Sequence, residues 1–161
     1  MKKLKEYIIA ELNRNKNHIL DTCDVLTEEE LLFIPAEGGQ CIKVLLLHMT
    51  DLEEAWIVSV LLGQEHEIGE RFKIDWETAN ANNLPIYDDL KKYFIETRQN
   101  FIETIEELAA YDFEDTLKAF QSEKKISVKE AISHMIESSS MYLGKIRMLI
   151  ELQGKTPVEL I

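Results

Sequence analysis

The stretch from Ser127 to Gln153, SVKEAISHMIESSSMYLGKIRMLIELQ, decides how this chain folds. It begins with a capping box, because Ser127 can accept a hydrogen bond from the amide of Glu130 while the Glu130 side chain reaches back to the amide of Ser127. No proline interrupts the stretch, and the next stop signals are Gly154 and Pro157. The pattern predicts a helix roughly 40 Å long, with apolar residues mostly three and four positions apart along one side.

Polar residues form a second stripe on this helix. His134, Ser138 and Tyr142 are spaced i, i+4 and i+8, so they drift slowly around one side of it. Two side chains four residues apart on a helix can share one metal ion. Neutral serine and tyrosine hydroxyls bind divalent transition metals poorly beside imidazole. The stripe therefore has the spacing of a metal site but contains only one imidazole.

The composition predicts one globular domain that spans residues 1–161. The chain has 45% hydrophobic and 30% charged residues, which is typical of a folded protein that can bury a core without metal or disulfide support. Its formal charge is −12, which argues against a nucleic-acid partner and against an anionic membrane surface, because phosphates would be repelled.

Two cysteines, Cys23 and Cys41, are too far apart for a C-x-x-C motif, and we expect free thiols. The N-terminus lacks the apolar segment and small-residue site of a signal peptide. Apolar runs are too short to span a membrane. These features predict a cytoplasmic protein.

Three more helices are predicted upstream of Ser127. Apolar residues recur at helical spacing over residues 4–20 and 41–62 and after Pro85, and a loop of about twenty residues, 63–85, follows the second helix. A loop of this length usually has a role, for example as a lid or a partner contact. Residues 116–120 are predicted to form one strand of a small hairpin, and Trp76 is expected to pack within the loop. The fold class is therefore all-α, an up-down four-helix bundle with a long crossover connection after the second helix.

Three segments give the chain its resemblance to a known family. They are QCIKVLLLHMTDLEEAW around His48, LPIYDDLKKYFIETRQNF in the third helix, and HMIESSSMYLGKIRML in the last. In this order and separation they resemble the DinB-like family of bacterial four-helix-bundle proteins, which includes thiol S-transferases, and the similarity covers nearly the whole chain. The resemblance implies that one histidine of the second helix and two of the last hold a divalent metal.

Carried over position by position, this implied metal site is incomplete. His48 matches the first ligand, whereas Ser138 and Tyr142 stand at the second and third ligand positions. Gly144 agrees with the family signature H-x-x-x-H-x-G-Q, but Lys145 replaces its glutamine. His134 lies one turn before the first lost histidine.

These residues support two functional hypotheses. In the first, His48 is a core histidine whose ring nitrogen is satisfied by Tyr142 or Ser138. The four residues His48, His134, Ser138 and Tyr142 then line the pocket of a non-catalytic small-ligand-binding or interaction protein, without a cofactor and, like its relatives, a homodimer. In the second, His48 is a surviving ligand of zinc or nickel in a metal-dependent thiol S-transferase or hydrolase. The sequence favours the first hypothesis, because two of the three ligands are missing.

Overall fold

Four long helices form the fold in the computed structural model, which describes residues 2–75, 78–80, 82–109, 112–118 and 124–158. They are α1 (Lys2–Asp24), α3 (Ile42–Ala55), α4 (Tyr87–Glu107) and α5 (Val128–Leu152), with a short helix α2 (Glu28–Leu31) after α1. The predicted all-α four-helix bundle with a long connection after its second long helix is confirmed.

The capping boxes that the sequence predicts are present at two helix starts. Ser127 Oγ accepts a hydrogen bond from the Glu130 amide at 3.2 Å, and Glu130 Oε2 accepts one from the Ser127 amide at 2.7 Å. Thr27 and Glu30 make the same pair of contacts at α2. Gly154, at φ +75°, follows the end of α5 in a conformation that a side chain would strain.

Two apolar clusters, one at each end of the bundle, show in which direction each helix runs. One apolar cluster joins the end of α1, the starts of α3 and α4 and the end of α5. The other joins the start of α1, the ends of α3 and α4 and the start of α5. The helices therefore run up, down, down and up in chain order. Because α1 and α3 each pack against both α4 and α5, α1 lies diagonally opposite α3, and α4 lies diagonally opposite α5.

The crossover explains why α3 and α4 run in the same direction. Its described part packs on the bundle through Phe72, Ile74 and Leu84. Phe72 meets the ring of Tyr93 edge-on at 5.5 Å, and Arg71 lies over the same ring at 5.3 Å. The predicted loop is therefore attached to α4 around Tyr93. Trp76 lies outside the described residues.

The second long helix ends in a π-helical segment, Trp56–Leu61, that the sequence does not predict. The Leu62 amide donates to the carbonyl of Ile57, five residues earlier, at 3.0 Å. Single π turns inside helices are frequent at functional sites, because they reorient side chains by widening the helix. Here the first residue of the segment is Trp56.

A small antiparallel hairpin precedes α5. Strand β1 (Thr116–Lys118) pairs with β2 (Lys125–Ser127), with Leu117 opposite Ile126. The predicted hairpin strand is thus present over residues 116–118, and residues 119 and 120 lie outside the described residues. None of the helices in the described ranges is both long and apolar enough to cross a bilayer.

The two cysteines are free thiols, as predicted. Cys23 and Cys41 are both buried. Burial raises the pKa of the Cys23 thiol to about 12, so this side chain stays protonated and unreactive at neutral pH.

Candidate functional site

The antiparallel contact between α3 and α5 brings His48 against Tyr142. The tyrosine hydroxyl lies 2.8 Å from Nδ1 of His48, and the two rings meet edge-on with centroids 5.6 Å apart. Of the two hydrogen-bond partners predicted for His48, Tyr142 and Ser138, the structure thus has Tyr142. Lys145 Nζ lies 5.0 Å from the centre of the Tyr142 ring on the other side of this pair. At the positions that the resemblance assigns to metal ligands, the chain thus forms a direct histidine–tyrosine hydrogen bond.

Burial keeps both members of this pair uncharged near neutral pH. It lowers the pKa of His48 to about 4, with the positive charge of Lys145 as a smaller cause. It also raises the pKa of the Tyr142 hydroxyl, whose side chain is almost fully buried. A neutral imidazole and a neutral phenol can satisfy one another without a cation between them.

His134 and Ser138 belong to a separate feature one to two turns along α5. Both line a small cavity between α3 and α5, together with Trp56. The exposed His134 contacts Trp56, with ring centroids 4.7 Å apart and ring planes tilted by 45°. The cavity offers about 30 Å³ to a water-sized sphere, enough for one or two water molecules. Of the four residues predicted to line one pocket, His48 and Tyr142 therefore form a hydrogen-bonded pair, whereas His134 and Ser138 line a small cavity.

The donors on this face do not fit the metal that the resemblance implies. A catalytic zinc site needs three protein ligands of imidazole, thiolate or carboxylate type. His48 is the one such group at the three positions, and its Nδ1 contacts Tyr142. Across the described ranges, no three or more His, Cys, Asp or Glu side chains are arranged to hold a metal ion.

A buried ion pair lies next to the cavity, and it was not predicted from the sequence. Arg98 of α4 is fully buried, and its Nε and Nη2 atoms each donate to Glu53 of α3 at 2.7 Å. Nη1 donates to the Leu12 carbonyl at 3.0 Å, and Nη2 also donates to Ser139 Oγ at 2.9 Å. Through Arg98, all four long helices are therefore joined in one polar layer between the two apolar clusters.

A second buried polar group lies between α3 and α4. The Tyr93 hydroxyl lies 3.0 Å from Asp51 Oδ1 and 2.6 Å from Glu54 Oε2. Its single hydrogen can be donated to one carboxyl, so the other contact is a hydrogen bond only if that carboxyl carries a proton. Burial, reinforced by the charge of Glu54 and opposed by the Tyr93 hydrogen bond, raises the pKa of Asp51 to about 6. Asp51 is thus the carboxyl suited to hold the shared proton.

His66 brings the crossover into this group. Its Nε2 lies 3.6 Å from Glu54 Oε2, and its Nδ1 lies 3.5 Å from Glu70 Oε2. Asp51 Oδ2 and His66 Nε2 are buried without a hydrogen-bond partner in the described part of the chain. His66 therefore connects the crossover to the Glu54 carboxylate of α3.

The sequence does carry a signal for these buried charges. Arg98 stands four residues after Phe94 and three before Phe101, on the stripe of α4 that the apolar spacing assigns to the core. Glu53 is placed in the same way on α3, between Met49 and Trp56. A charged residue at a core position of an amphipathic helix requires a buried partner, and this rule would have paired the two.

Comparisons with known proteins agree with this architecture. The profile of a family described as the DinB superfamily matches residues 11–155. A DinB-like protein from Bacillus cereus ATCC 10987 has a similar structure, with a TM-score of 0.76 and 14% identity over 97% of each chain. YfiT from Bacillus subtilis, described as a probable metal-dependent hydrolase with an unusual four-helix bundle topology, gives a TM-score of 0.74 and 15% identity over 97% of this chain and 91% of YfiT. At these identities the two structures establish the fold alone. A comparison with curated proteins gives no match.

Proposed function

This chain belongs to the DinB superfamily, and from that premise we propose that it is a small-ligand-binding protein that works without the metal implied by the family resemblance. The observation that carries the proposal is the 2.8 Å hydrogen bond between His48 Nδ1 and the Tyr142 hydroxyl. It joins the first and third ligand positions directly. Ser138, at the second position, lines the neighbouring cavity instead.

The chemistry of the donors supports this proposal. Tyrosine binds a divalent ion tightly as a phenolate, and burial raises the pKa of Tyr142 and so disfavours that form. Serine remains a neutral hydroxyl at physiological pH. An ion at this position would hold one imidazole where a catalytic site uses three strong donors, and most of its affinity would be lost.

The ligand of this proposal binds at the α3–α5 face that carries Trp56, His134 and Ser138. The Trp56 and His134 rings, tilted by 45° to one another, offer an aromatic surface, and Ser138 lines the cavity beside them. Because the cavity holds only one or two water molecules, the body of the ligand lies on the ring surface and inserts at most one small polar group. Binding should therefore be weak and should depend on Trp56.

Metal content and zinc response test the proposal together. The protein, purified without chelator and without a polyhistidine tag, should contain far less than one zinc or nickel per chain by mass spectrometry. Zinc should shift the thermal midpoints of wild type and His48→Ala equally, because neither holds it at this site. Near-stoichiometric metal that disappears in His48→Ala would overturn the proposal.

A metal-dependent S-transferase or hydrolase is the second candidate function. It is favoured by the state of His48, whose lowered pKa keeps the imidazole neutral, as a metal ligand must be. This candidate predicts that zinc or nickel stabilises wild type far more than His48→Ala. The same titration therefore separates the two functions.

We also propose that the chain forms a homodimer through α5. Met141, Met148 and Leu152 are each about half exposed, at 50%, 52% and 56%. Their spacing of seven and then four residues places them on one stripe of the helix. Sedimentation analysis should find a dimer that Met148→Lys converts to a monomer, whereas a wild type that stays monomeric at high concentration would contradict the proposal.

A further inference from the structure

A groove of about 380 Å³ lies between α1 and α5. It lies on the side of α5 away from His48, since Ser140 and Gly144 in the groove are about 200° around the helix from Ser138 and Tyr142. None of the residues assigned to the α3–α5 face lines it. Its volume falls within the range of sites for small molecules, about 300–1,000 Å³.

Cationic side chains gather in this groove. Arg14 of α1 and Arg147 of α5 both line it, and Glu11 is the one carboxylate among its lining residues. The chain as a whole carries a formal charge of −12. A local excess of positive charge in an acidic protein lowers the energy of an anion at that place and at few others on the surface.

The arginines keep donors available. Arg14 pairs with Glu11 through Nη2, and its side chain is 61% exposed, so this surface pair is weak and can yield to a better partner. Arg147 uses Nη1 to donate to the Val158 carbonyl. Each guanidinium carries five N–H donors in a planar fork, and that fork matches a carboxylate or a phosphate in two-point contact.

The floor of the groove is fixed by the buried polar layer. Asn15 Nδ2 donates to Ser140 Oγ at 3.3 Å, and Asn15 Oδ1 accepts from Ser139 Oγ at 2.7 Å. Ser139 in turn accepts from the buried Arg98. Two polar groups of the floor are therefore held in place before any ligand arrives, which lowers the entropic cost of binding.

Gly144 gives the groove part of its room. A Cβ placed on this residue would meet no atom within 4 Å, so the space above it is open. Apolar side chains from α5, Ile136 and Leu143, line the same groove. The lining therefore offers an apolar surface beside a cationic end.

From this combination we infer that the α1–α5 groove binds a small organic anion, a carboxylate or a phosphate ester with a short apolar portion. Arg14 and Arg147 hold the anionic group, Asn15 contacts it from the floor through its remaining amide hydrogen, and Ile136 and Leu143 cover the apolar part. The Ser140 hydroxyl donates to the Ile136 carbonyl and holds Asn15 in place. This site is independent of the ligand proposed for the α3–α5 face.

Amide chemical-shift titration at low salt tests the inference, with benzoate as the carboxylate probe and phenyl phosphate as the phosphate probe, so that both carry the same apolar ring. Saturable shifts confined to the groove residues are expected for one probe or both, and which probe binds more tightly identifies the chemical source. Gly144→Leu fills the open space with a good helix former, and Arg147→Gln removes one cation. Each should weaken binding by about tenfold or more.

Two control variants keep the outcome unambiguous. Arg71→Gln removes an exposed arginine that lies outside the groove and should leave the affinity unchanged. His48→Ala should also leave it unchanged, so failure of the proposed function and failure of this inference are distinguishable. Absence of saturable shifts with either probe, or equal weakening by Arg71→Gln and Arg147→Gln, would overturn the inference.

Discussion

Removing Arg98 should destabilise this protein more than any substitution of a surface charge. Arg98→Met keeps most of the side-chain length but deletes a buried guanidinium that makes two hydrogen bonds to Glu53, one to the Leu12 carbonyl and one to Ser139. The Glu53 carboxylate, only 5% exposed, would then be left without its charged partner.

The expected cost follows from the burial of both charges. Breaking a buried ion pair by removing one partner costs about 3–5 kcal/mol, because the remaining charge stays desolvated. A domain of this size has roughly 5–15 kcal/mol of stability, so Arg98→Met should lose a large part of it. The double variant Arg98→Met with Glu53→Leu removes both charges and should recover most of the loss. Arg14, whose side chain is 61% exposed in its pair with Glu11, serves as a matched control and should cost less than about 1 kcal/mol as methionine.

Urea unfolding followed by circular dichroism measures these free energies. Arg98→Met should lower the midpoint strongly, Arg14→Met should leave it nearly unchanged, and the double variant should lie close to wild type. A loss below about 1 kcal/mol for Arg98→Met would refute this account of the buried layer. So would a double variant that loses as much stability as Arg98→Met and Glu53→Leu lose together when measured singly.

Three further predictions concern single groups. The raised pKa of Asp51 means that stability is lost as pH rises from about 4 through 6. Asp51→Asn should therefore stabilise by about 2–3 kcal/mol near pH 8 and little near pH 4 in thermal unfolding, and an effect independent of pH would contradict the shared proton with Tyr93. The lowered pKa of His48 acts in the opposite direction, because its contribution is present above about pH 6.5 and lost as pH falls towards 4. His48→Gln should reduce the decrease in stability between about pH 6.5 and pH 4 by about 1–2 kcal/mol, a value discounted for the partial exposure of His48. An unchanged decrease over this pH range would show that His48 does not contribute to it. Ser127→Ala should cost about 1 kcal/mol in urea unfolding by removing the α5 cap, whereas a cost near zero would show that Glu130 alone suffices.

Local signals were enough to predict the bundle. The Ser127 capping box, the helical spacing of apolar residues and the length of the 63–85 loop gave four helices and one long crossover. The parallel, side-by-side placement of α3 and α4 depends on how the crossover packs, at Phe72 and Arg71 against Tyr93, and no local pattern encodes that contact.

The residues of the candidate site could be predicted from the sequence, but which of them contact one another could not. His48, Ser138 and Tyr142 were identified from spacing and resemblance, yet the choice between Ser138 and Tyr142 as the partner of His48 depends on the register of α3 against α5. That register sets His48 opposite Tyr142 and Trp56 opposite His134. The π-helical segment Trp56–Leu61 was not predicted either, because such segments have no reliable sequence signal.

Restoring the missing imidazoles tests the central claim most directly, because the claim is that hydroxyls at two positions prevent metal binding. Ser138→His with Tyr142→His returns a three-histidine set with His48, and competition with a chromophoric chelator measures the zinc affinity of this variant against wild type. The account predicts that the double variant binds one zinc at least about 100-fold more tightly than wild type, and that adding His48→Ala abolishes the gain. Equal zinc affinity in wild type and in the restored variant would contradict it.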